Sequence, residues 1–176
     1  MSSFKRLPLR EVLGSSLISF RPPASQEVPT QCLLFVGDVV GRPGRKVFKK
    51  ALTALRECLE IPFVSLNGEN LAGGFGITTK IYEEMTAPGM ANAITMGNHW
   101  YDKPDIHSIR ASSRKLVLPQ NILGVEGVEE LPVLEVPHLR RKVILLNLMG
   151  QFAMKDSYGD PFVSVSYTHL TLPTKA

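Results

Sequence analysis

Short apolar runs alternate with amphipathic stretches along this chain, and three of the runs end in a small polar cluster. Residues 32–36, 63–66 and 93–96 are rich in branched and aromatic side chains and predict three strands. They run into Gly37-Asp38, Asn67-Gly68-Glu69-Asn70 and Gly97-Asn98-His99. Between the first two strands, Val47, Phe48, Ala51, Leu52, Leu55 and Leu59 recur at helical spacing and predict an amphipathic helix over 44–60, closed by Pro62. Gly73-Gly74-Phe75-Gly76 predicts a loop, Thr78 or Thr79 caps a helix reaching Thr86, and Pro88-Gly89 ends it. A further helix is expected from Asp102-Lys103-Pro104-Asp105, with Pro104 in its first turn, and a fourth strand over 115–118. Residues 132–136 and 142–148 predict a hairpin, which would make the sheet mixed rather than purely parallel.

The two ends break this alternation. Residues 1–31 carry four prolines and several serines without an apolar period, and read as a flexible extension rather than a secretory signal. Residues 163–176 are strand-prone and polar and resemble translated cloning sequence, so they are expected to be a non-native tail. The folded domain is then expected over 32–162, incomplete at its C-terminus. An α/β fold with alternating strands and helices follows.

Composition adds limits rather than direction. The chain has 176 residues, 44% of them hydrophobic and 20% charged, as befits one globular domain. No run is long and apolar enough to span a bilayer. Two cysteines, Cys32 and Cys58, with no CxxC and both on apolar patterns, read as core residues of a reduced, cytoplasmic protein. The net charge of +4 gathers on Arg42, Arg45, Lys46, Lys49 and Lys50, with Arg140, Arg141 and Lys142 as a second group. Because aromatics do not interleave with these residues, a solvated helix face is expected and a nucleic-acid surface is not.

In a parallel sheet the carboxyl ends of neighbouring strands lie side by side, so the three polar clusters should share one crevice. Asp38, Glu69, Asn70, Asn98 and His99 would meet there. Hard oxygen donors beside an imidazole suit one or two divalent metals and an activated water, hence a metal-dependent phosphoester hydrolase. Asp38 alone would pass for a turn former, and Asn70 and Asn98 for left-handed turn residues. Glu69 has no turn role, and its two carboxylate oxygens can each take a cation. His99 is placed to give a proton to a leaving alkoxide. His107, His138 and His169 are expected to lie on a helix surface, in the hairpin turn and in the tail. Gly37-Asp38-Val39-Val40-Gly41-Arg42-Pro43-Gly44 matches neither dinucleotide nor P-loop signatures. A non-catalytic α/β binding module is the alternative.

At these residues the chain resembles the bacterial YmdB-like metallophosphoesterases, a branch of the calcineurin-like superfamily. The matching blocks are Phe35-Val-Gly-Asp-Val-Val-Gly-Arg-Pro-Gly-Arg45, Asn67-Gly-Glu-Asn70, Gly76-Ile-Thr78, Ala93-Ile-Thr-Met-Gly-Asn-His99, Asn147-Leu-Met-Gly150 and Asp160-Pro-Phe162. The resemblance implies a layered α/β/β/α sandwich with mixed sheets. It also implies a centre of two divalent metals, iron or manganese, whose activated hydroxide hydrolyses small phosphodiesters such as cyclic nucleotides. By motif, Asp38 would ligate the first metal, Glu69 would bridge both, Asn70 would complete part of the first site, Asn98 would bind the second metal, and His99 would be the general acid. The chain departs from the pattern at Trp100-Tyr101, Leu118 and Gln120, and lacks the later histidine ligands the family supplies. Weak metal binding and little turnover are therefore expected of these residues alone.

Overall fold

The computed structural model describes residues 31–57, 59–126, 128, 131–136, 141–152, 154 and 158–171. Strands β1 (Gln31–Asp38), β2 (Glu60–Asn67), β3 (Ala93–Thr95) and β4 (Leu116–Val117) form one sheet in that order. Every neighbouring pair is parallel. The crossovers carry helices α1 (Gly41–Arg56), α2 (Thr79–Thr86) and α3 (Asp105–Ser112). Strands β5 (Val133–Val136) and β6 (Arg141–Ile144) pair antiparallel, and helix α4 (Pro161–Thr171) follows.

The three crossover helices share one core with one face of the sheet. Phe48 and Leu52 of α1, Tyr82 and Met85 of α2 and Ile106 and Ile109 of α3 pack with Val64, Leu66, Ile94 and Leu116 of the strands. A connection from strand to parallel strand is right-handed, so four strands laid down in sequence order place their helices on the same side. Fully burying each such Leu, Ile or Met stabilises the fold by about 1.5–3 kcal/mol. The opposite face is covered by the hairpin, which joins Val136, Leu134 and Val143 to Phe63, Ala93 and Val117 in a second cluster. Helices, parallel sheet and hairpin thus follow the layer order expected of the sandwich. Cover on that second face stops short of the edge strand, where Leu33 and Phe35 are 57% and 65% exposed.

Several expectations hold in detail. Thr78 caps α2, its Oγ1 accepting from the Ile81 N–H at 3.4 Å, and Gly89 adopts φ 81° beyond the helix end. Cys32 is half-buried against the helix-side core. His107 is exposed on α3.

Others need correction. The hairpin pairs with itself, so the four-stranded sheet is purely parallel rather than mixed. α1 begins at Gly41, not residue 44, because the Gly41 N–H is held by the Asn70 carbonyl at 2.9 Å and Pro43 is tolerated in a first turn. Val47 is exposed, off the apolar stripe. Pro62 does not close α1 but lies inside β2. There β1 is the only strand partner among the described residues, since β3 pairs no earlier than Ser65, and a strand edge tolerates proline.

The strand-prone run after residue 162 is helical as far as Thr171. Asp160 Oδ1 accepts from the Phe162 N–H at 2.8 Å and Pro161 opens the helix, a start signal that outweighs the β-branched content. Cys58, His138, Arg140 and residues 1–30 of the extension expected over 1–31 lie outside the described residues, while Gln31 already belongs to β1. No helix among the described residues is long and apolar enough to cross a membrane.

Candidate active site at the strand tips

Because β1, β2 and β3 are parallel and adjacent, their carboxyl ends emerge at one edge of the sheet. The turns beyond them are stitched together through the backbone. Val39 N–H donates to the Asn67 carbonyl at 3.2 Å, and Gly68 N–H to the Thr95 carbonyl at 2.8 Å. From further along the chain, Asn147 Nδ2 donates to the Met96 and Val117 carbonyls at 2.7 and 3.1 Å. This amide joins the ends of β3 and β4, where the Val117 carbonyl also accepts from the Met96 N–H at 3.0 Å.

Glu69 is the most constrained of the expected residues. Its Oε2 accepts from the backbone N–H of His99 at 3.2 Å, its Oε1 from Asn67 Nδ2 at 3.3 Å, and its own N–H donates to Asn67 Oδ1 at 3.2 Å. Its carboxylate lies directly over the Cα of Gly97, where a Cβ would fall well inside contact distance of both oxygens. Asp38 is more open. It is exposed at the end of β1, and its Oδ2 accepts from Asn70 Nδ2 at 2.9 Å, so the Asn70 Oδ1 is the acceptor end of that amide. Asn98 is exposed at the start of a 3-10 turn, Asn98–Tyr101.

In that turn His99 and Asp102, three residues apart, face each other, as three-residue spacing in a 3-10 helix demands. His99 Nδ1 lies 2.6 Å from Asp102 Oδ2, so Nε2 is the ring nitrogen left to face a reactant. Phe75 stands perpendicular to the imidazole, with ring centroids 5.2 Å apart. Thus all five expected residues gather on one edge.

Three contributors escaped the pattern: Gly97, whose missing side chain admits Glu69; Asp102, which holds His99; and Asn67, which holds Glu69. The His-x-x-Asp spacing and the glycine before Asn98 were the available signals. Glu84 pairs with Lys49 at 2.6 Å and Arg45 at 3.6 Å, so two of the five basic residues between 42 and 50 serve structure. The hydrogen bond from Lys49 holds the Glu84 carboxyl below its ordinary range. A separate concavity lined by Arg110, Ser113, Arg114 and Gln120 runs along β4.

The donor set suits a hard divalent cation: two carboxylates and two carboxamides. The cradle at Gly97 fits it too, because it presses the Glu69 carboxylate against the tip of β3. Among the described residues no three of His, Cys, Asp and Glu come together as a cluster able to hold a metal.

Comparison with known proteins finds relatives in sequence and in fold. A family model described as YmdB-like protein matches residues 34–175. A 2',3'-cyclic-nucleotide 2'-phosphodiesterase of Bacillus subtilis (strain 168) is 37% identical over 131 residues, 74% of this chain and 48% of its own. A crystal structure of a novel phosphatase from Mycoplasma pneumoniae superposes with a TM-score of 0.66 at 30% identity, covering 77% of this chain and 49% of that one. A hypothetical protein from Thermus thermophilus gives 0.68 at 27%, covering 80% and 53%. The chain spans between 31% and 48% of the length of the curated relatives it matches.

Proposed function

The chain belongs to the YmdB-like family, and from that premise we propose that it is a metal-dependent phosphodiesterase whose cation site is assembled at the tips of β1, β2 and β3. The observation that carries this is the junction of Glu69 with the Gly97-to-His99 backbone, beside the Asp38–Asn70 pair. Asp38, Glu69, Asn70 and Asn98 would hold two divalent cations, iron or manganese. Bound there, the cations supply Lewis-acid stabilisation of charge on the phosphoryl oxygens and lower the pKa of water.

The chain's own residues do the rest. Asp102 fixes the His99 ring by its Nδ1, so that Nε2 can deliver a proton to the departing alkoxide. The Asn67 amide keeps Glu69 from swinging into solvent. Arg42, exposed in the first turn of α1, adds positive potential near Asp38 that favours an anionic ester. The substrates are small phosphodiesters, cyclic nucleotides among them, as the name of the Bacillus subtilis relative suggests. The sparse cysteines, with no CxxC, are in keeping with a reaction in the cytoplasm.

A second reading, an α/β module that binds without turnover, is favoured by the donor count: two carboxylates, with the one imidazole engaged by Asp102. Hydrolysis of bis-p-nitrophenyl phosphate and cyclic AMP under added manganese separates the two. The enzyme reading expects slow, manganese-dependent turnover that falls by about 100-fold or more in both Glu69→Gln and His99→Ala. No turnover at all favours the module, and turnover that does not need manganese overturns the metal-dependent reading.

A further inference from the structure

Among the described residues Phe75 is the aromatic side chain whose ring pairs with that of His99, and nothing in the proposed chemistry uses it. It sits at the tip of the glycine loop, 56% exposed. The loop is not slack. Ala72 N–H donates to the Gly76 carbonyl at 3.0 Å, Gly74 N–H to the Asn70 carbonyl at 3.0 Å and Gly76 N–H to the Glu69 carbonyl at 2.6 Å. Gly73, Gly74 and Gly76 have φ of 76°, 97° and 69°, a conformation that side chains avoid. A Cβ on Gly76 would meet Lys103 Cγ at 2.9 Å and Asp102 Cβ at 3.3 Å, so the loop is seated on the very turn that carries His99.

A pinned loop therefore holds a large apolar ring in water beside the proton donor. The rings of Phe75 and His99 are inclined at 86°. In either version of a perpendicular pair, at least one face of the phenyl ring is clear of the imidazole. Such a face stacks flat aromatic groups without regard to their hydrogen-bonding edges.

We propose that Phe75 is a specificity residue: it stacks the nucleobase, or another aromatic group, of a phosphoester whose phosphorus lies at the strand tips. This rests on the phosphodiesterase reading above, and it adds the part of the substrate that is recognised. Esters with an aromatic base should bind better than the same phosphate on a bare sugar.

The test is equilibrium binding to the 176-residue chain with magnesium as a diamagnetic cation, followed by NMR. The probes are adenosine 5'-monophosphate, ribose 5-phosphate and inorganic phosphate. Adenosine 5'-monophosphate is expected to bind about tenfold more tightly than ribose 5-phosphate. That ratio should fall to about one in Phe75→Ala and persist in Phe75→Tyr. In the unmodified chain with 13C-labelled phenylalanine, the signal lost in Phe75→Tyr should move upfield with adenosine 5'-monophosphate and stay put with ribose 5-phosphate.

A ratio near one in the unmodified chain, with phosphate still perturbing the amides of Glu69 and Asn98, overturns the stacking role and leaves the phosphodiesterase reading standing. A ratio that survives Phe75→Ala also overturns it. Failure of all three probes to bind overturns both.

Discussion

The tips of β2 and β3 and the tip of β1 contribute to the same edge but are built in opposite ways. Between β2 and β3 there is no slack. Glu69 lies over Gly97, and a Cβ on Gly68 would run into Ile94 and come within 2.8 Å of Leu71 Cδ1. At β1, nothing lies within 4 Å of where a Gly37 Cβ would be, and Asp38 is exposed with one side-chain partner shown, Asn70. The difference teaches where precision is built in. The carboxylate expected to bridge is held by the His99 N–H and the Asn67 side-chain amide, whereas the terminal one is exposed and held by Asn70. Preorganisation of this kind is useful only where a displacement of about 1 Å would cost rate.

The sharpest way to break the comparison is Gly97→Ala. The new methyl must displace the Glu69 carboxylate, and overpacking of this kind costs about 1–3 kcal/mol. Urea unfolding should show a loss near the upper end, together with weakened manganese binding. An unchanged midpoint would mean that the tips are not interlocked. Next comes Asn147→Ala, which leaves the Met96 and Val117 carbonyls without that donor. About 1–2 kcal/mol of stability should be lost, with β3 and β4 amides exchanging faster.

The third concerns the seating of the turn behind β3. Asp105 accepts from the Thr79 N–H at 2.8 Å, and that backbone hydrogen bond holds its carboxyl below the ordinary value. A folded-state pKa that is depressed adds stability above the unfolded value, and that stability is lost as pH falls through the folded one. The gap between this chain and Asp105→Ala in urea unfolding should therefore be present at pH 7 and shrink below about pH 4. A gap that stays constant into acid contradicts the account. The smallest effect belongs to Gly37→Ala, at most about 0.5 kcal/mol either way. A larger loss would show β1's tip to be as tight as its neighbours'.

What the sequence disclosed depended on how local each signal was. The strand runs as far as residue 118, the Thr78 cap and the Pro88-Gly89 stop are written in neighbouring residues, and they stand where the pattern put them, whereas the run expected over 142–148 is a strand only to Ile144. The placing of Asp38, Glu69, Asn70, Asn98 and His99 on one edge was legible because a parallel sheet leaves few places for strand ends to go, whereas their contacts, Asp38 with Asn70 and Glu69 with the His99 N–H, were not. The hidden parts were tertiary. Pro62 reads as a breaker unless one knows that β3 is too short to reach it. The start of α1 depends on an Asn70 carbonyl far along the chain, and Gly97 matters only because Glu69 arrives from another strand. For α4 the reverse held: Asp160-Pro161 was a local start signal, masked by the valines that follow.

The claim beneath all of this is that three strand tips share one cation site. Manganese titration followed by 1H–15N spectra tests it most directly, because the ion broadens only amides near where it binds. The amides of residues 38, 69, 70, 98 and 99 should vanish first, those of the β5–β6 hairpin should persist, and Glu69→Gln should require at least about tenfold more manganese. Broadening that spreads evenly over the chain, or that centres elsewhere and ignores Glu69→Gln, would contradict it.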